Sequence, residues 1–371
     1  MIWMQWCKRA FVFWTIAVAI TVLTVGHART SDQSDVPRLA VRKFLLSVDA
    51  NPKASSDYLR ASREEAIRLL KSTRATHFHT SATWSTIERP AGSFDLTALK
   101  ETMNASAPLP VAFTLKIIEA GDRRMPEAYR GLAWDSPEMV RRVSDVIEQA
   151  APILGRRPWS YAIGNEIDMY FAQRPQEIAA YGRLLEQLKP IVAARHPTAS
   201  FTTAWQFSSI ARLRTTYAPI VASLDHVALT YYPLNPDFSV GRVDQLVRDL
   251  PTALEIARPL PIAFQELGYP SATLLGSSPE RQAEFMRLSF DSIRAAGHQV
   301  LGATYLFQSD LPQWLVNDLL VAYRLDDPKF RAFLTTLGLR DQDDRPKPGW
   351  QEFLRQLDIV RPPAAADNRL R

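Results

Sequence analysis

The sequence predicts an α/β protein built as a single (β/α)8 TIM barrel, and three observations carry that expectation. Apolar runs of strand length recur eight times, and segments with helical periodicity or helix caps lie between them. The chain has only 14 glycines, and neither a G-x-G-x-x-G nor a P-loop pattern occurs among them. Eight strands alternating with helices favour a closed parallel barrel, and the missing fingerprints disfavour a doubly wound nucleotide-binding sheet.

The elements follow in order. Residues 1–28 carry Lys8 and Arg9, then an apolar run from Ala10 to Val25, then Gly26-His27-Ala28. A basic start, an apolar middle and small residues at the end read as a signal peptide cleaved after Ala28, and so as a secreted or periplasmic protein. If uncleaved, the same run would be a membrane anchor, although it is just short of the ~17–25 residues of a span. Strand-like runs then fall at 42–48, 75–82, 109–116, 158–165, 199–206, 225–232, 260–266 and 299–308. Ser62-Arg-Glu-Glu65 reads as a capping box, in which Ser62 and Glu65 satisfy free amides at a helix start. Ser136-Pro137 and Ser278-Pro279 put an N-cap before a proline whose missing N–H costs nothing there. Ile178, Tyr181, Leu185, Leu188 and Val192 recur at spacings of three and four, the signature of a helix with one buried stripe. The barrel is expected over 29–360, and Arg361-Pro-Pro-Ala-Ala-Ala opens a tail, 361–371, of disordered composition.

Composition narrows the function. The net charge is +5 over 371 residues, with the basic residues spread apart from pairs such as Arg123-Arg124 and Arg141-Arg142, so a nucleic-acid partner has little support. Cys7 is the only cysteine and lies inside the export segment, which leaves the mature chain without disulfides or thiol chemistry. His77 and His79 share a strand face, but no third ligand is spaced with them, so neither a metal nor another cofactor is expected.

Two strand ends carry the candidate chemistry. Trp159 to Ile163 is an apolar and aromatic run that ends on Gly164-Asn165-Glu166, and a second run ends on Glu266 before Gly268-Tyr269-Pro270. A barrel gathers its strand tips around one mouth, so both carboxylates are expected there. Paired carboxylates are the means of cleaving a glycosidic bond, ~5–5.5 Å apart for retention and ~6.5–9.5 Å apart for inversion.

With these residues the chain resembles clan A of the glycoside hydrolases, the large group of retaining barrel enzymes. Asn165-Glu166 matches the clan's acid/base signature on the fourth strand, and Glu266 its nucleophile on the seventh. Trp84-Ser-Thr-Ile-Glu-Arg-Pro-Ala-Gly-Ser-Phe-Asp95 is similar to the Trp-x-x-Ile-Glu-Pro-x-x-Gly-x-Tyr-Asp segment after the second strand. Tyr231-Tyr232-Pro233 and the Glu266-to-Pro270 segment look most like the arabinogalactan endo-β-1,4-galactanase branch. The resemblance implies that Glu166 is the acid/base, Glu266 the nucleophile, and Asn165 a donor to the sugar 2-hydroxyl. It also implies that Tyr231 holds Glu266, with Tyr232 pointing away. The substrate implied is an oligo- or polysaccharide with β-linkages, galactan first.

Aromatic side chains near strand ends are candidates to stack on sugar faces, namely Trp84, Trp205, Tyr269 and Phe307, while Lys116 and Gln308 are placed to reach hydroxyls. Two positions depart from the clan. His79 stands where many members have an arginine supporting the nucleophile, so Glu266 is expected to be tuned differently, and Phe307 replaces the usual tryptophan floor with a smaller platform. Two other readings use the same residues: a barrel that binds sugar without cutting it, and a transglycosylase in which a sugar acceptor replaces water.

Overall fold

The structure, a computed structural model, describes residues 44–52 and 59–360; the expected export segment and the tail lie outside the described residues. Eight parallel strands are present at the positions the apolar runs predict. They are β1 (Leu45–Val48), β2 (Phe78–Thr83), β3 (Val111–Glu119), β4 (Pro158–Asn165), β5 in two pieces (Ser200–Thr202 and Ala204–Gln206), β6 (Val227–Tyr231), β7 (Ile262–Leu267) and β8 (Val300–Tyr305). One ladder runs β2-β3-β4-β5 and the other β5-β6-β7-β8-β1, so the two share β5 across its break at Thr203. The remaining seam, β1 to β2, is joined by single hydrogen bonds. Thr76 N donates to Leu46 O at 3.0 Å, Leu46 N to Thr76 Oγ1 at 2.6 Å, and Ser47 Oγ to His77 O at 2.7 Å. The ring is thereby closed around the barrel axis.

Helices cover the outside: α1 (Leu59–Ser72), α2 (Thr97–Ser106), α3 (Pro137–Leu154), α4 (Ile178–Arg195), α5 (Gln245–Ala257) and α6 (Pro279–Ala295). Ser136 and Ser278 cap α3 and α6 as their sequence context predicts, accepting from Met139 N and Arg281 N at 3.2 Å. Each such cap contributes about 1 kcal/mol. The stripe of α4 is buried in full. Ser62 does not start a helix: it lies inside α1, where a local S-x-x-E match is overridden by helix that already runs from Leu59. Nor does every strand have a long partner helix. Between β5 and β6 the chain makes only a 3-10 segment, Phe207–Arg212, and the short helix Ala218–Val221.

Two apolar clusters result. The larger fills the layer between strands and helices, while polar and small side chains such as His77, Thr114, Ser160, Ala228 and Thr304 line a narrow cavity between the strands. The smaller lies under a helical pair that follows β8, α7 (Gln313–Tyr323) and α8 (Pro328–Thr336), and contains Leu275, Leu306, Leu311, Val316, Leu320, Phe333, Leu334 and Leu337. A final helix, α9 (Pro348–Val360), packs back on α6. The α7–α8 pair therefore has a core of its own beside the C-terminal strand ends, where a barrel presents reacting groups.

Candidate active site

The tip of β4 is a forced turn. Gly164 has φ +85°, and a Cβ there would stand 2.7 Å from Ile167 Cγ2 and 2.8 Å from the Tyr181 hydroxyl, so no other residue fits. Glu166 itself adopts φ 48°, ψ 44°, a left-handed conformation that costs a non-glycine residue roughly 1–2 kcal/mol. That turn ends the strand, and the Glu166 carboxyl accepts from Thr230 Oγ1 at 2.7 Å.

The tip of β7 reaches the same mouth by a different device. Leu229 on β6 pairs with Phe264, but Thr230 pairs with Glu266, so Gln265 is an extra residue in the ladder. A bulge of this kind breaks the in-out alternation. Both Gln265 and Glu266 consequently face the mouth, where Gln265 meets Asn165 and Thr114 and Glu266 meets Tyr232. Thr230 connects the two tips, being the ladder partner of Glu266 and the hydrogen-bond donor to Glu166. Adjacent strands are ~4.8 Å apart, so a residue shared in this way brings the two carboxyls over one opening.

Their surroundings differ. Burial, and then the charge of Glu266, push the Glu166 carboxyl up to about 8; the Thr230 bond offsets part of this, and Asp168 and Glu119 add to it. Burial also raises Glu266, and it stays above its ordinary value: Lys116 and the Tyr232 hydroxyl oppose the rise, Glu119 adds to it and His79 offsets a little more. When two interacting carboxyls titrate, the last proton of the pair resides on the group with less cationic and hydrogen-bond support. The surroundings thus favour the proton on Glu166 and the charge on Glu266.

Several further groups surround them. Tyr232 donates to Glu266 Oε2 at 2.7 Å, and its ring meets Phe333 of α8 edge-on at 5.4 Å. Gly268 makes room for that ring, since a Cβ there would lie 2.7 Å from Tyr232 Cε1. Glu119, at the tip of β3, is a third carboxylate in the mouth. It accepts from Asn165 Nδ2 at 3.2 Å and pairs with Lys116 at 2.6 Å. Burial alone would lower the Lys116 ammonium, but Glu119, with Glu266 and Glu166 beyond it, holds it above its ordinary value. From α7, Tyr323 comes within electrostatic reach of the cluster: burial raises its hydroxyl, and the charges of Glu166, Glu119 and Glu266 raise it further. Glu119 was legible in one respect, as an acid ending a strand like the other two; Tyr323 depends wholly on how the helical pair packs.

The expected residues fall into two groups. Glu166, Glu266, Asn165, His79 and Lys116 belong to the mouth, with His79 Nδ1 at 3.5 Å from Asp49 Oδ1. Gln308 is buried just past β8 with its Oε1 lacking a partner among the described residues, and Phe307 is half-buried against the smaller apolar cluster. Tyr231 is a correction. Its hydroxyl donates to Asp249 on α5 at 2.8 Å and its ring packs between Phe207 and Phe264, so it faces the helix layer, and Tyr232 takes the role expected of it. Thr230 and Tyr232 face in because ordinary alternation holds on β6, where there is no bulge.

Three aromatic candidates are also corrected. Trp84 is fully buried, stacks on Tyr129 and donates to Glu88; Trp205 is fully buried against Tyr217; Tyr269 is fully buried on Phe285, with its hydroxyl on Gly241 O. Large rings near strand ends were drawn into the strand–helix layer, where they bury more area than at a wet mouth. None of the three can stack on a sugar.

No family model matches the chain, and no curated protein does. Solved structures do match it. GH5_18 from Streptomyces cattleya, in complex with GlcNAc, is 17% identical with a TM-score of 0.68, over 88% of this chain and 82% of that one. The exo-β-1,4-mannosidase Op5Man5 from Opitutaceae bacterium strain TAV5 is 18% identical with a TM-score of 0.67; the match covers 89% of this chain and 62% of that enzyme's length. A β-glucosidase, 1317, in its apo form, is 15% identical with a TM-score of 0.62, over 85% and 92% of the two chains. At such identities the likeness establishes the fold, a TIM barrel of the kind those glycosidases share, and chemistry has to be argued from the side chains.

Proposed function

We propose that the chain is a retaining β-glycoside hydrolase, with Glu166 as acid/base and Glu266 as nucleophile. The observation that carries this reading is the linkage through Thr230: two carboxyls from β4 and β7 share one opening, yet Glu266 accepts from the Tyr232 phenol and is drawn down by Lys116, whereas Glu166 accepts from the neutral Thr230 hydroxyl. Glu166, holding a proton near neutrality, donates it to the leaving oxygen while Glu266 attacks the anomeric carbon. Forming the covalent ester removes the charge of Glu266, which is a main cause of the raised Glu166 carboxyl. Glu166 then loses its proton more readily and can take one from the incoming water, the change of role that retention requires.

The galactan expectation leaned partly on Tyr231-Tyr232-Pro233, whose first tyrosine faces away from the mouth. The solved neighbours include an exo-β-1,4-mannosidase and an enzyme with bound GlcNAc, so β-mannosides and N-acetylglucosaminyl glycans are tried first, with β-galactan alongside. With residues 1–28 read as an export signal, the substrate would be met outside the cytoplasm.

The test is aryl β-glycoside hydrolysis across a panel of sugars that includes polymers, using wild type, Glu166→Ala and Glu266→Ala. Glu266→Ala is expected to lose turnover by a factor on the order of 10⁴ or more. Added azide should restore turnover to each variant and give azides of opposite anomeric configuration, because it stands in for the lost group on opposite faces of the sugar. A wild type that binds glycan but turns over nothing in the panel would leave a carbohydrate-binding barrel as the better description. Products formed with and without excess sugar acceptor separate hydrolysis from transglycosylation.

A further inference from the structure

The residues immediately before the two glutamates, Asn165 and Gln265, are bonded to each other. Gln265 Nε2 donates to Asn165 Oδ1 at 2.6 Å across 100 positions of sequence. The contact belongs to a directed chain. Thr114 Oγ1 donates to Gln265 Oε1 at 3.0 Å, Asn165 Nδ2 donates to Glu119 Oε1 at 3.2 Å, and Glu119 Oε2 pairs with Lys116 at 2.6 Å.

An ionised carboxylate can only accept, so Glu119 obliges Asn165 to turn its NH₂ toward β3. The Asn165 oxygen must then face β7, which requires the NH₂ of Gln265, and the Gln265 oxygen is left to the Thr114 hydroxyl. Every amide in the belt has one permitted orientation. Both amides are buried, with Asn165 2% and Gln265 9% exposed, so the unpaired groups left by breaking the belt would be costly. Asn165 keeps one N–H beyond the belt, available to a substrate hydroxyl. Gln265 reaches this position only through the β7 bulge that also turns Glu266 inward.

We propose that Gln265 is a positioning residue: its amide clamps the β4 tip to the β7 tip, holds the separation of Glu166 and Glu266, and sets which way Asn165 presents its free N–H. This rests on the reading of those glutamates as acid/base and nucleophile. Gln265 touches neither of their carboxyls in the structure and acts through its neighbours.

The test replaces Gln265 by Met in the full chain, which keeps the length and removes both hydrogen-bonding groups, and follows two readouts. The first needs no substrate: the chain is labelled with ¹³C-glutamate, and the Glu166 and Glu266 carboxyl signals, identified by their disappearance in Glu166→Gln and Glu266→Gln, are titrated by NMR. Loosened tips let the carboxyls move apart and water enter, so the upper step should fall by about half a unit or more in Gln265→Met. The second is kinetic, with kcat lower by about 10–100-fold and KM within about threefold on an aryl β-glycoside that wild type cleaves. Thr114→Val, which removes only the hydroxyl anchoring the far side of the Gln265 amide, should shift the titration the same way by less, and decides the matter if Gln265→Met does not fold. Titrations of the variants that superimpose on wild type would overturn the clamp. A shifted titration in a chain that cleaves no glycoside would uphold the clamp and remove the hydrolytic reading, so the two fail separately.

Discussion

The tips of β4 and β7 present the same side chain to the same opening by opposite means. At β4 the backbone is bent into a left-handed turn, and the carboxyl meets one neutral donor, Thr230, with acidic groups around it. At β7 the backbone stays extended but gains a residue, and the carboxyl meets a phenol with a lysine and a histidine within reach. Two glutamates are thus given different holds on a proton by what surrounds each, and each tip also gives a distinct way to break the proposed mechanism.

After the loss of turnover already expected for Glu266→Ala, the largest effect breaks the β4 side. Glu166→Ala should slow cleavage of glycosides with poor leaving groups by about 10²–10⁴-fold, the range for a lost general acid, and leave nitrophenyl glycosides far less affected in the first step. Rates plotted against leaving-group pKa check it; equal losses for all leaving groups would take the acid role away from Glu166.

Next comes Tyr232→Phe, which removes the donor that holds Glu266. A hydrogen bond to a charged group contributes about 1.5–3 kcal/mol, so kcat/KM should drop roughly 10–100-fold. Tyr231→Phe, by contrast, should act on stability through Asp249 and leave kcat within a small factor. The reverse ranking of the two would restore the orientation first expected from the sequence.

The pH profile sharpens the comparison. The proposed mechanism requires Glu266 ionised and Glu166 protonated, so kcat/KM should be bell-shaped, failing on the alkaline side as pH passes about 8. Lys116→Met removes the cation that counters burial at Glu266, so the acid limb should move up by about one unit or more while the alkaline limb moves less. A profile in which both limbs move equally would mean that Lys116 acts on the pair without distinction.

The smallest effect is on stability. Glu166 has a folded value raised above its unfolded one, so its contribution is favourable at low pH and is lost as pH rises from about 4.5 through about 8. Glu166→Gln removes that loss. Its thermal midpoint should match wild type near pH 4.5 and exceed it by a few degrees above pH 8, as calorimetry at the two pH values would show.

Much of the fold was legible because it depends on local pattern. Strand-length apolar runs, the Ser-Pro caps of α3 and α6 and the stripe of α4 each reflect which groups a short segment must bury or satisfy. The exceptions have the same origin. Ser62 fits a capping pattern, but only the extent of the helix decides whether it is a cap, and the β5–β6 connection folds as a 3-10 segment and a short helix where the alternation predicts one long helix. Within the site, Glu166 and Glu266 were legible as acids ending apolar strands. Trp84, Trp205 and Tyr269 were not legible as core, since an aromatic ring serves equally in a core or on a sugar face and its sequence neighbours do not tell which.

What the chain alone determined is where its strands lie along the sequence, that two acids sit at the ends of two of them, and that thiol chemistry is absent after Ala28. What only the tertiary structure decided is direction. Tyr232 rather than Tyr231 faces the nucleophile, Gln265 joins Glu266 on the inner side, and Glu119, Lys116 and Tyr323 converge on them. Side-chain direction on a strand has a period of two, so one inserted residue or one shift in register turns it over, and pairing with a neighbouring strand is what sets that register.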